Sequence, residues 1–412
     1  MELLRNAVRR YAWGSRTAIA ELLGGPVPAR HPQAELWLGA HPADSSVLLH
    51  ADGGQTTLWE ALRADPVHHL GAGCVQRWGH RLPFLLKVLA AEEPLSLQAH
   101  PSATQAAEGF AREEARGIPS DAPERNYSDS SHKPELIYAL TEFHALAGFR
   151  EPRQTAGLLA ALDIPPLEPY RAMLAAEPNA DGLRTLFTTW ITMPEPAVKA
   201  LLPATLDACV ALLRREGPGG EFRGECRVAL ELAEAYPGDV GVLAALLLNY
   251  VVLRPGNAMF LPAGNLHSYL RGTAVEISAN SDNVLRGGLT AKHVDVPELL
   301  RVLDFSYGPL PVRCGERIGA HETVFRAPAE EFQLATLEWA EGDSTPVLLR
   351  SSLPQILLCT QGSVVLRSQD GARVSVCRGG SVWLPAVGPD VMLCPEPGPV
   401  RLFRAQPGLS ET

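Results

Sequence analysis

Gly256-Asn257-Ala258-Met259-Phe260-Leu261-Pro262-Ala263 and Gly379-Gly380-Ser381-Val382-Trp383-Leu384-Pro385-Ala386 repeat one pattern at an offset of 123 positions, from 256 to 379. Each copy follows an apolar strand and turns sharply at its glycine and its proline, residues that break regular pairing. A motif that recurs once over this distance implies two related β-rolls in one chain. A small antiparallel roll closes its own edges and leaves a mouth lined by inward-facing side chains. The copies differ at one telling place. Position 267 is His, whereas its equivalent, position 390, is Asp, and beyond His293 the only histidine is His321. The first roll is therefore the one equipped for imidazole chemistry, and the second is expected to serve packing or assembly.

Working outward, residues 1–150 alternate short apolar runs such as ELWLGAHP, LPFLLKVLA and HKPELIYAL with turns, the texture of strands. Short helices are predicted over 17–23, 58–64 and 102–114, the last with Ser102 as its N-cap. From 151 to 248 the texture changes to Ala-rich segments with apolar residues three and four apart, the signature of a helical insert. Strands resume at Asn249 and continue through the tail. The expected class is mainly β with a helical insert. One roll spans 1–150 with 249–305, the insert 151–248, and a second roll 306–412.

The 412 residues are 46% apolar and 20% charged, with a formal net charge of -10. That balance argues against nucleic acid as a partner, since phosphate backbones demand clustered Lys and Arg. It leaves room for a phosphorylated small molecule, which needs only one local basic patch. The seven cysteines have no C-x-x-C spacing and read as reduced cytosolic thiols. No signal-peptide h-region opens the chain. The most apolar run, 240–253, is interrupted by Asn249 and Tyr250 and falls short of a membrane span. The expectation is a cytoplasmic, soluble protein without a membrane partner, monomeric or weakly homo-oligomeric.

Gln98-Ala99-His100 places an amide oxygen and an imidazole on one face of an extended chain. Taken alone, such a tripeptide is more often a pair of satisfied polar side chains. Glu135 and His132 precede the apolar run LIYAL, with Pro134 stiffening the backbone between them; such a carboxylate ligates a metal or merely solvates an edge. His267 follows a tight turn at the open end of the first roll. Two imidazoles, a carboxylate and an amide oxygen form a plausible set for Zn²⁺, and would also accept Mn²⁺, Fe²⁺ or Co²⁺. Lys87 lies inside LPFLLKVLA, where an unpaired ammonium is costly to bury, although a snorkelling lysine at a strand end would also fit. Arg286 occupies a turn-rich segment in which Gly287 and Gly288 would permit close approach to a ligand, and arginine suits bidentate phosphate contacts. Glu276 lies in the strand AVEISAN.

Together these segments resemble the type I phosphomannose isomerases. The resemblance rests on Tyr11-Ala12-Trp13-Gly14-Ser15, Glu35-Leu36-Trp37-Leu38-Gly39-Ala40-His41-Pro42, Leu82-Pro83-Phe84-Leu85-Leu86-Lys87-Val88-Leu89, Leu95-Ser96-Leu97-Gln98-Ala99-His100-Pro101, His132-Lys133-Pro134-Glu135-Leu136 and Ser281-Asp282-Asn283-Val284-Leu285-Arg286-Gly287-Gly288-Leu289-Thr290. These motifs occur in the family's order over residues 1 to about 300. The resemblance implies two cupin-like jelly-roll barrels, the second degenerate, and one zinc per chain held by Gln98, His100, Glu135 and His267. It implies a catalytic arginine at Arg286, active-site lysines at Lys87 and Lys133, and pocket roles for Ser96, Glu276 and Tyr269. The implied reaction interconverts mannose 6-phosphate and fructose 6-phosphate by proton transfer between C1 and C2, feeding mannose use and GDP-mannose supply. Glu276, Lys133 and His132 are the candidates for that transfer, and the sequence does not rank them.

Two other classes share the fold. A cupin dioxygenase would present a more His-rich set, which Gln98 matches poorly. A non-catalytic sugar-binding cupin gives no reason for Lys133, Arg286 and Glu276 to accompany the metal ligands.

Overall fold

A computed structural model describes residues 1–217 and 219–409. The repeat that opens the sequence reading is a structural repeat. Its two copies form strands Ala258–Leu261 and Ser381–Leu384, at the same offset. Gly256 and Gly379 both take the left-handed region, at φ 92° and 83°, which a residue with a Cβ adopts only at a cost. Each strand pairs antiparallel with a buried neighbour, Glu135–Ala139 in the first roll and Gln355–Gln361 in the second. Leu261 lies opposite Glu135, and the equivalent Leu384 lies opposite Gln355. The second roll thus carries an amide where the first carries a carboxylate, and Asp390 where the first carries His267. Gln355 donates to the Arg350 carbonyl and Asp390 accepts from the Ser351 amide, so both are turned to local backbone.

The first roll is built on an eleven-stranded sheet whose centre is the strand His267–Ala279, flanked by Glu135–Ala139 and Phe84–Ala91. Both flanking strands are buried along their whole length, which is why they read as continuous apolar runs rather than alternating ones. The second roll pairs a nine-stranded sheet with a four-stranded one. Strand Glu2–Arg5 lies in the nine-stranded sheet, Leu3 opposite Val382, and carries Val47–Leu49 and Gln55–Thr57 on its outer side. The first residues of the chain therefore close the sheet of the last ones.

Helices form where caps and periodicity agree. Leu58–Ala64 starts at a capping box of Thr57 with Glu60, and Ala103–Ala115 at one of Ser102 with Gln105. Ala18–Leu22 is shorter than expected, because Thr17 makes no side-chain cap bond. One helical stretch, Pro66–Trp78, goes unannounced in the sequence: Gly71 breaks it with φ 79° and interrupts its periodicity. The insert folds as helices from Pro152–Leu162 to Gly241–Ala245 before strand Leu248–Leu253 resumes the sheet. One insert helix has a segment, Glu195–Arg215, long and apolar enough to cross a membrane by length and composition, contrary to the expectation that no segment would be. Its Val198, Leu201, Leu202 and Leu212 are buried in the insert's core, which accounts for its composition.

Candidate metal centre and active site

The strand His267–Ala279 supplies three site residues of mixed parity, because a bulge lies between them. The register with Phe143–Phe149 shifts between Tyr269 and Arg271. An extra residue on one strand exchanges its two faces beyond that point. His267 and Tyr269 before the bulge and Glu276 after it consequently line the same cavity, of roughly 560 Å³. Gly272 makes the bend possible: its φ is 116°, and a Cβ there would stand 2.5 Å from the Glu142 carbonyl oxygen. The two-residue strand Gln98–Ala99 fits between His267 and Arg286, with Gln98 opposite both.

Both histidines present Nε2 to one point. His100 Nδ1 bonds the Asn283 carbonyl at 2.7 Å and His267 Nδ1 the Asn265 carbonyl at 3.0 Å. A carbonyl only accepts, so each Nδ1 carries a proton, and Nε2 is the ring nitrogen left to face a ligand. His100 Nε2 lies 3.3 Å from Glu135 Oε1, and His267 Nε2 3.7 Å from Glu135 Oε2. His100 Nε2 is buried without a hydrogen-bond partner. A cation among these nitrogens and the carboxylate would give Nε2 the partner it lacks. His100, Glu135 and His267 form the one such His/Cys/Asp/Glu group among the described residues, with ligand atoms all within 4.8 Å of one another. The Gln98 amide nitrogen donates to Ser96 Oγ at 3.2 Å, which leaves Oε1 as a fourth donor. This set of imidazole nitrogens and oxygens fits a tetrahedral divalent ion, and the backbone carbonyls behind the histidines fix its orientation.

Electrostatics agree with that reading. Burial, then the neighbouring His100, pushes His267 down to about 4, so it is neutral and ligand-competent at physiological pH. Burial opposes ionisation of Glu135, but its neighbours, the Lys133 ammonium foremost, outweigh it and hold the carboxyl well below its ordinary range. Lys133 Nζ is 3.1 Å from Glu135 Oε1, and Tyr269 donates to Oε2 at 3.2 Å. Beside this set lies a second buried pair. Lys87 and Glu276 face each other across the ladder and meet at 2.8 Å. Glu35 stands 3.8 Å from the same ammonium, and Trp37 donates to Glu35 at 2.8 Å. Burial would lower Lys87, but Glu276 and Glu35 hold it charged. Burial raises the Glu276 carboxyl, and Lys87 limits the rise.

The structure brings ten of the eleven site residues expected from sequence to this centre: Gln98, His100, Glu135, His267, Lys87, Lys133, Ser96, Tyr269, Glu276 and Arg286. His132 is the exception. Successive side chains of an extended segment leave on opposite sides; Lys133 turns to Glu135, and His132 turns away to Glu331 at 2.8 Å, in a separate pocket. Gly287 and Gly288 also differ from expectation. Their close approach is to protein rather than to ligand: a Cβ on Gly288 would meet Gly241 Cα of the insert at 2.9 Å. Sequence reasoning passed over Glu35, Trp37, Asp282 and Lys292, all of which line the cavity, and Asn283, whose carbonyl orients His100. A charged residue inside the apolar run ELWL is the signal that could have found Glu35. Lys292 lies in an ordinary loop and gave none.

Such a roll, with a half-buried amide, two buried imidazoles and a buried carboxylate opening on a polar cavity, defines a candidate cupin-type metal centre. Residues 1–152 match the family model described as "Phosphomannose isomerase type I, catalytic domain". The chain is 40% identical to the mannose-6-phosphate isomerase of Salmonella typhimurium over 94% of this chain and 95% of that one. It is 32% identical to the human mannose-6-phosphate isomerase over 97% and 96%. It also resembles a solved zinc-bound mannose 6-phosphate isomerase, with a TM-score of 0.88, 38% identity and 99% of both chains covered. A Salmonella typhimurium structure bound to fructose 6-phosphate and zinc matches with a TM-score of 0.87 and 37% identity, over 99% of this chain and 100% of that one. The chain belongs to the type I phosphomannose isomerase family.

Proposed function

We propose that this protein is a zinc-dependent isomerase of mannose 6-phosphate and fructose 6-phosphate, feeding mannose use and GDP-mannose supply, with Gln98, His100, Glu135 and His267 holding the ion. The observation that carries this reading is the union, in one cavity, of a metal donor set, a buried carboxylate–ammonium pair and two cations. The metal's contribution when bound is Lewis-acid polarisation of the sugar carbonyl and of the oxyanion that develops from it. Arg286 and Lys292 border both the cavity and an adjoining solvent-facing pocket, so they receive the phosphate at the mouth. Burial lowers both of them, and they remain cationic at neutral pH.

Glu276 is the base. It takes the proton from C2 of the open-chain aldose and returns it to C1, while a proton passes from O2 to O1. No net oxidation occurs. A carboxylate that burial has stripped of water is a stronger base than one in solution, which suits it to accepting and returning a proton. Lys87 holds Glu276 in place and keeps it ionised at rest. Lys133 and Tyr269 orient Glu135, and Trp37 with Glu35 closes the far side of the pair. None of the seven cysteines is in a disulfide, in keeping with a reducing cytoplasm. Glu276→Gln should retain its metal and lose turnover by about 10³-fold. Undiminished turnover in that variant would hand the proton transfer to Lys133.

A further inference from the structure

We infer that Asp239, in the turn before the last helix of the insert, is a positioning residue for the cation pair Arg286–Lys292 and thereby sets recognition of the substrate's phosphate. This rests on the proposed role of that pair. The insert reaches the cavity lining through Tyr236, in the turn 236–241. There Asp239 divides its carboxylate. Oδ1 accepts from the Gly241 amide at 2.7 Å, and Oδ2 accepts from the Thr290 amide at 3.2 Å. Thr290 Oγ1 then accepts from the Lys292 amide at 3.1 Å. One carboxylate is thus joined through two hydrogen bonds to the backbone that carries Lys292.

The other end of the loop is fixed by the metal segment. Gly287 N donates to the Leu97 carbonyl at 2.8 Å, Leu97 N donates to the Gly288 carbonyl at 3.1 Å, and Arg286 lies opposite Gln98. The segment between these anchors is conformationally costly. Leu289 is fully buried with φ 54°, a region unfavourable to any residue with a Cβ. Gly288, at φ 115°, and Gly241 touch backbone to backbone, and a Cβ on Gly241 would stand 2.8 Å from Leu289 N. A backbone held in such a shape needs partners that overdetermine it, and Asp239 supplies the one charged acceptor in the contact. Tyr236, from the same turn, lines the cavity and donates to the Pro94 carbonyl at 2.7 Å. The insert is therefore the template against which the phosphate-binding loop is set.

The test uses the zinc-loaded full chain and its Asp239→Ala and Asp239→Asn variants. Asparagine keeps one acceptor oxygen and so separates loss of both bonds from loss of one. Losing a bond to a charged acceptor should raise KM for mannose 6-phosphate about tenfold in Asp239→Ala, and less in Asp239→Asn. Competitive inhibition by inorganic phosphate should weaken by the same factor, with kcat and bound zinc little changed. A lowered melting temperature with KM and phosphate inhibition unaltered would overturn the inference, as would a fall in kcat at constant KM. Phosphate binding is also measured directly by calorimetry on wild type and variants, so a wild type that binds phosphate without isomerising the sugar would count against the isomerase reading alone. Equal phosphate affinity in all three proteins would count against Asp239.

Discussion

At the scale of single residues, His267 shows how the fold prepares a ligand. An imidazole with an ordinary pKa near 6.5 is held at about 4 by burial and by His100. Between those values the unfolded chain binds a proton that the folded one does not, so stability rises with pH across that window. In metal-free protein the His267 contribution is complete above pH 6.5 and is lost as pH falls toward 4. It amounts to about 3 kcal/mol. Chemical denaturation of the metal-free protein at a series of pH values should show that slope, and His267→Gln should flatten it. An identical slope in the variant would place the titrating group elsewhere. The sequence made the pair Gln98 and His100 legible through their spacing, and the repeat singled out His267 against Asp390. Glu135 was legible only through family resemblance, because a carboxylate at a strand entrance has many harmless explanations. Asn283 could not be read at all: it acts on His100 through a backbone carbonyl, which every residue possesses.

At the scale of elements, the decisive feature is the bulge in His267–Ala279. Strict alternation would send Glu276 to the face opposite His267 and Tyr269, since 267 and 269 differ in parity from 276. The bulge at Tyr269–Arg271 corrects this and brings Glu276, the proposed base, to the same cavity as His267 and Tyr269. Periodicity finds the strand but is blind to a shift that depends on its partner's register, although Gly272 marks the spot. Gly272→Ala forces a Cβ against the Glu142 carbonyl in a left-handed conformation. It should cost about 1–3 kcal/mol and lower kcat by disturbing Glu276 relative to the metal site. Denaturation and steady-state kinetics on the same preparation check both effects, and wild-type kcat in the variant would show that the bulge does not set the catalytic geometry. The kinked helix Pro66–Trp78 was unreadable for a related reason, because Gly71 divides it into two pieces too short to display a period.

At the scale of the molecule, the two rolls are joined by more than the chain between them. The first strand, Glu2–Arg5, pairs into the sheet of the second roll, and the turn before the insert's last helix braces the loop that carries Arg286 and Lys292. Neither contact could be read from composition or periodicity, since both depend on which segments meet at long range. The repeat did announce two rolls, and the helical texture announced the insert. The central claim is that this architecture serves one metal-dependent isomerisation. Its most direct test is a coupled assay of mannose 6-phosphate conversion to fructose 6-phosphate before and after chelation, with elemental analysis of the same sample. The account expects turnover in proportion to bound zinc, up to about one ion per chain, lost on chelation and restored by zinc. Full turnover in protein shown to be metal-free would contradict it.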